Sequence, residues 1–335
     1  MGSAWDKLLT EGPPLHRLSI RCTRPVCFRK LLVLVGIFCN DDRPHPPTWN
    51  TIRSFELDLN TDAHKVAWDD HPQEDESLFL WLPPVTSFSL ILPSSSAIFD
   101  TPRSALWTSV DIPASILKNL TSFNIQCDWE ANHILGFLQD CASLEHLEVT
   151  IDTSSDRPYE LHADDSSLRP VDESPILLPA LRSLRLRQLH NVKILRFLKC
   201  PALVELKLEF KGSDQSTKPI PRFNTTFQQF PKPCALRIRS LTLKNRYIKP
   251  DDLAETLHSH IPLLQHLSIN NMPNVLEPLF RSLKARFDKQ MRSPLDRTQT
   301  VALLHKLDLV ATPTNFDFMV VSQFIDSLKP LLRFS

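Results

Sequence analysis

Apolar residues recur along the chain in a hexad, apolar-x-x-apolar-x-apolar. The first five copies are Leu15/Leu18/Ile20, Ile52/Phe55/Leu57, Val85/Phe88/Leu90, Leu120/Phe123/Ile125 and Leu144/Leu147/Val149. The next five are Leu181/Leu184/Leu186, Leu203/Leu206/Leu208, Ile238/Leu241/Leu243, Leu264/Leu267/Ile269 and Leu304/Leu307/Leu309. In nine of these ten segments all three x positions are polar, and only Val204 breaks the rule. Chance would supply about four such segments in a chain of this composition. On a helix, positions i and i+3 share a face, but i+5 lies about 140° away from i. On a strand, i+3 and i+5 point the same way. Each hexad therefore predicts a short strand with its last two apolar residues facing inward, the first plugging the turn that leads in.

Helical stripes lie between the strands. The spacing predicts helices over Trp129–Cys141, with Asp128 as N-cap, and over Asn191–Lys199, Asp251–His260, Asn274–Met291 and Asn315–Leu332. Pro14, Pro84, Pro179, Pro201 and Pro262 stand just before strands. There a missing N–H ends the preceding turn and forces an extended approach. Hexads follow one another at 37, 33, 35, 24, 37, 22, 35, 26 and 40 residues. Only the short intervals match the roughly 20–29 residues of ordinary leucine-rich repeats. The long ones are expected to hold insertions: polar loops at Asn60–Ser77, Asp152–Ser174 and Lys211–Lys232.

Parallel strands alternating with helices at this period stack into a solenoid, with strands on the concave side and helices outside. The expected fold class is α/β: one irregular leucine-rich-repeat domain over 1–335, less regular over 1–115 and more regular over 116–335.

Composition narrows the chemistry. The chain has 335 residues, 42% apolar and 23% charged, with 38 basic against 38 acidic residues. Zero net charge argues against a nucleic-acid partner held by bulk electrostatics. There are 28 prolines and only 5 glycines, Gly2, Gly12, Gly36, Gly136 and Gly212, none close to another. A phosphate-cradling loop needs several glycines within a few residues, so Walker A, dinucleotide and kinase loops are excluded, as is a G-x-S-x-G elbow.

Seven cysteines, Cys22, Cys27, Cys39, Cys127, Cys141, Cys200 and Cys234, form no C-x-x-C pair. They read as free thiols of a reducing compartment. The N-terminus lacks the apolar core of a signal peptide. The longest apolar run, Leu31–Cys39, is far short of the ~20 residues that span a bilayer. The expectation is a soluble protein of the cytoplasm or nucleus, without a membrane partner.

The run from Leu120 through Leu144-Glu-His-Leu-Glu-Val resembles the irregular leucine-rich repeats of fungal F-box proteins. So does the block Leu178-Pro-Ala-Leu-Arg-Ser-Leu-Arg-Leu, His190–Cys200, Pro201-Ala-Leu-Val-Glu-Leu-Lys-Leu. The likeness covers roughly residues 14–310. It implies a substrate-recognition module of a cullin-based ubiquitin ligase. The F-box that docks on the ligase adaptor is not recognisable. The Leu-Pro pairs at Leu82, Leu92 and Leu178 lack the x-Glu that should follow. Thr101-Pro-Arg-Ser-Ala-Leu-Trp107 is similar to the segment that often closes that motif, but no matching helices precede it. Adaptor binding therefore requires an F-box outside this chain, or the chain is a paralogue that has lost it.

Neither a catalytic set nor a metal site emerges, and no cofactor is expected. His16, His146, His266 and His305 occupy x positions of separate hexads, and no H-E-x-x-H is present. The aspartate pairs suit loops and helix starts. The exposed strand face is the best candidate surface. By alternation it carries Glu56 and Asp58 near its start, and a basic group of Arg185, Arg187, Lys207 and Lys244 further on. Such a group suits a protein partner bearing an acidic segment. The expected function is non-catalytic protein binding. The alternatives are an F-box-free repeat scaffold unrelated to ubiquitination, and a leucine-rich-repeat GTPase regulator. The latter needs an arginine or asparagine on a loop beside the repeats, and none is singled out.

Overall fold

The computed structural model describes residues 12–22, 47–59, 82–92, 112–127, 131–151, 175–189, 192–211, 223–245, 248–272, 274–292, 304–310 and 316–332, together with Lys7, Lys30, Leu31, Val35 and Phe79. It is a mixed α/β protein of parallel strands and helices, dividing into two compact units, Met1–Glu173 and Ser174–Ser335.

In the first unit the strands are β1 (Arg17–Arg21), β2 (Ser54–Asp58), β3 (Ser87–Ile91), β4 (Ser122–Cys127) and β5 (His146–Ile151). Each pairs in parallel with the next in sequence. Parallel neighbours need a crossover, and short helices supply it: α1 (Pro47–Asn50), α2 (Ala114–Leu117) and α3 (Ala131–Leu138). The register aligns the hexads. Leu18, Phe55, Phe88, Phe123 and Leu147 form one row, and Ile20, Leu57, Leu90, Ile125 and Val149 the next. Phe88 lies between Phe55 and Phe123, with ring centroids 6.0 and 5.8 Å away. Such pairs add about 0.5–1.5 kcal/mol beyond burial. The first apolar residue of the hexad is buried at Ile52, Val85, Leu120 and Leu144 and half-buried at Leu15.

The second unit repeats the scheme with β7 (Ser183–Leu189), β9 (Glu205–Phe210), β10 (Ser240–Lys244), β11 (His266–Asn270) and β12 (Lys306–Val310). Its two inward rows are Leu184, Leu206, Leu241, Leu267, Leu307 and Leu186, Leu208, Leu243, Ile269, Leu309. A two-stranded parallel pair, β6 (Ile176–Leu177) with β8 (Leu198–Lys199), is an addition that the hexads did not predict.

The connections differ from expectation in two places. The expected helix over Asn191–Lys199 is a 3-10 turn, Lys193–Phe197, followed by β8. This is the shortest interval in the chain. A 3-10 helix rises about 2.0 Å per residue against 1.5 Å for an α-helix, so fewer residues cross the same distance. The polar loop expected over Lys211–Lys232 contains a helix, α4 (Phe223–Gln229), followed by α5 (Lys232–Ala235). Phe223, Phe227 and Phe230, at i, i+4 and i+7, are buried and meet in a tilted and an edge-on contact, with ring centroids 5.7 and 6.0 Å apart. That apolar stripe outweighs the polar and proline-rich surroundings.

The remaining helices follow the expected stripes: α6 (Pro250–Ser259), α7 (Leu276–Arg292) and α8 (Phe318–Leu332). Proline opens α6, where its missing N–H costs no hydrogen bond. The loops expected at 60–77 and 152–174, the Asp128 cap and the 101–107 segment lie outside the described residues. Among the described residues no helix is long and apolar enough to cross a membrane.

Candidate functional site

Alternation leaves the x positions of every strand on the face opposite the core rows. In the second unit the register lines them up. Arg185 sits beside Lys207, Lys207 beside Thr242 and Thr242 beside Ser268. One residue pair further on, Glu209 sits beside Lys244. Arg185, Lys207 and Lys244, together with Leu208, Glu209 and Thr242, line one pocket of about 150 Å³.

Arg187 takes a different position. After Leu186 the β7–β9 register shifts, and Gln188 adopts a left-handed φ of 58°. A bulge of this kind re-aims the side chains around it. Arg187 is not among the residues lining the pocket, and its Nε lies 3.4 Å from Glu209 Oε2. Glu209 also faces Arg185 at 3.7 Å, and Lys207 pairs with Glu205 at 2.8 Å. These side chains are partly solvent-exposed, and exposed ion pairs contribute only about 0–1 kcal/mol. The glutamates therefore orient the basic groups without locking them.

Sequence reasoning missed Glu209 and Thr242. Glu209 was legible as the next outward position after Lys207 on the same strand. Thr242 is an outward position of β10, and the cross-strand register sets it beside Lys207 in the pocket.

A second polar cluster lies on the same face. Ser240 Oγ is 3.2 Å from His266 Nδ1, and His266 Nε2 is 2.8 Å from Asp308 Oδ2. Lys306 Nζ approaches Asp308 at 3.0 Å. Hydrogen bonds from Lys306 and then from His266 hold the Asp308 carboxyl below the usual carboxylate range. The order serine, histidine, aspartate resembles a hydrolytic relay. Acyl transfer also needs hydrogen-bond donors, often backbone amides, aimed at the oxyanion. The amides of Arg239 and Ser240 are both occupied, donating to Val204 O at 2.8 and 3.0 Å. The cluster ties β10, β11 and β12 together across the sheet.

In the first unit Glu56 and Asp58 accept from Arg17 and Arg21, at 3.2 and 2.7 Å. Among the described residues no group of three or more histidine, cysteine, aspartate or glutamate side chains could hold a metal ion. Described cysteines Cys22, Cys127, Cys141, Cys200 and Cys234 are buried free thiols. No family model matches this chain, and no curated protein matches it.

Proposed function

We propose that this chain is a non-catalytic protein-docking module, an irregular leucine-rich-repeat solenoid whose outward strand face receives the partner. The observation that carries this reading is the alignment of Arg185, Lys207 and Lys244 around one pocket by the register of three successive strands. Rigid parallel strands hold cationic groups at fixed separations of about 4.8 Å per strand. An acidic segment docking there forms charge-assisted hydrogen bonds without first ordering the surface. The resemblance to fungal F-box repeat proteins supports a role in substrate recognition for a ubiquitin ligase.

The test is affinity capture with the full chain and with an Arg185→Glu/Lys244→Glu variant. The reading expects a partner retained by the unaltered chain and lost by the variant. Equal capture by both overturns it. Co-purification of the ligase adaptor would tie the module to ubiquitination.

A further inference from the structure

We infer that the pocket between β7, β9 and β10 is a binding site for a single phosphate dianion. This goes beyond the docking reading, because the pocket takes the phosphate whether or not a protein carries it. The lining has three positive groups, Arg185, Lys207 and Lys244, and one negative group, Glu209; at its border Glu205 pairs with Lys207 and Arg187 with Glu209, so an excess of two positive charges remains. A phosphate monoester carries about −1.5 to −2 at pH 7 and offers three strong acceptor oxygens. A carboxylate, with one charge and two acceptor oxygens, would leave surplus positive charge.

Two groups at the pocket stand ready. Among the described residues no ion pair or hydrogen bond engages the Lys244 ammonium or the Thr242 hydroxyl. Thr242 is only 8% exposed and forms part of the pocket wall, so its hydroxyl is held in place for an oxygen acceptor. The volume, about 150 Å³, is large enough to admit such a group. Glu205 and Glu209 on β9 and Asp308 on β12 interrupt the positive face, so a row of phosphates finds no matching row of cations. The geometry favours one phosphate over a nucleic-acid backbone.

The experiment titrates the full chain with inorganic phosphate, with the phosphorylated amide N-acetyl-O-phosphoserine amide, and with the unphosphorylated and N-acetylglutamate amides. Backbone amide shifts are followed by NMR. Saturable shifts centred on Lys207, Thr242 and Lys244, with Kd of about 1 mM or tighter, are expected for the phosphorylated amide. A Thr242→Val/Lys244→Gln variant should bind about tenfold or more weakly with its remaining spectrum unchanged. Binding of inorganic phosphate as well marks a site for free phosphate; binding of the phosphorylated amide alone marks a site for a phosphorylated side chain. The inference is overturned if neither phosphate form saturates, if the variant binds equally, or if the glutamate amide binds as well as phosphate. It is also overturned if oligouridylate binds there with affinity rising with length. These outcomes are separate from partner capture, which can succeed with no phosphate present.

Discussion

Asn271 Nδ2 donates to Asn245 Oδ1 at 3.2 Å, joining the residues that directly follow β11 and β10. Both hold left-handed backbones, with φ of 55° and 66°. Their own amides extend the ladder: Asn245 N donates to Asn270 O at 3.1 Å and Asn271 N to Val310 O at 3.0 Å. Asparagine tolerates this region better than most residues with a Cβ. This is how a chain so poor in glycine turns out of its strands here. Asn271→Val should destabilise by about 1–2 kcal/mol, because a β-branched side chain resists positive φ. Asn271→Gly should cost less. Equal losses in chemical denaturation would remove the conformational explanation.

Phe88 is buried between Phe55 and Phe123. Phe88→Ala leaves a cavity that both neighbouring rings border. The expected loss is about 3–5 kcal/mol, read as a lower denaturant midpoint. A loss under about 1 kcal/mol would mean that the row does not pack as described.

Acid should weaken the fold in two steps. Burial pulls the His260 imidazole below its ordinary value, with Glu255 opposing and Lys232 adding to the effect. Its Nε2 is buried without a hydrogen-bond partner among the described residues. The unfolded chain thus binds this proton more readily than the folded one. The associated stability is complete above about pH 6.5 and is lost as pH falls through the lower folded value. Asp308, also held low by Lys306 and His266, follows the same sign. Its contribution is complete above about pH 3.9 and is lost below that. Denaturation midpoints at pH 7.5 and 5.5 should differ more for the unaltered chain than for His260→Gln. An equal difference would refute the assignment.

The buried thiols should resist alkylation. Burial, and then Asp140, push the Cys141 thiol up to about 12. Burial and the neighbouring Cys234 raise Cys200, whose amide donates to Cys234 Sγ at 3.0 Å. Cys234 is raised by burial, partly offset by that amide and by Lys199. Thiolate is the reactive form. At pH 8 iodoacetamide should label these three only after denaturant is added. Rapid labelling of the native chain would contradict their placement.

The strands were legible because their code is local. At Phe123 and Ile125, or Leu206 and Leu208, two inward residues separated by one polar residue fit only an extended chain. The connections were harder. The Phe223, Phe227 and Phe230 stripe was present in the sequence, but prolines and polar residues around it masked the helical period. The 3-10 turn at Lys193–Phe197 follows from the distance to be crossed, which no local pattern encodes. Arg185, Lys207 and Lys244 were readable as outward positions. Thr242 and Glu209 join them through cross-strand register, and the re-aiming of Arg187 needs the bulge at Gln188. Glu209 was readable as the next outward position after Lys207, but the convergence on one pocket and the turn of Arg187 cannot be read from residue spacing.

Lysine footprinting of the complex with a captured partner tests the docking face most directly. Purified chain, free and bound, is acetylated and the modification rate is read at each lysine. The account predicts that binding slows modification of Lys207 and Lys244, while Lys284 and Lys289 on α7 react as before. Protection of the α7 lysines with Lys207 and Lys244 unchanged would contradict it.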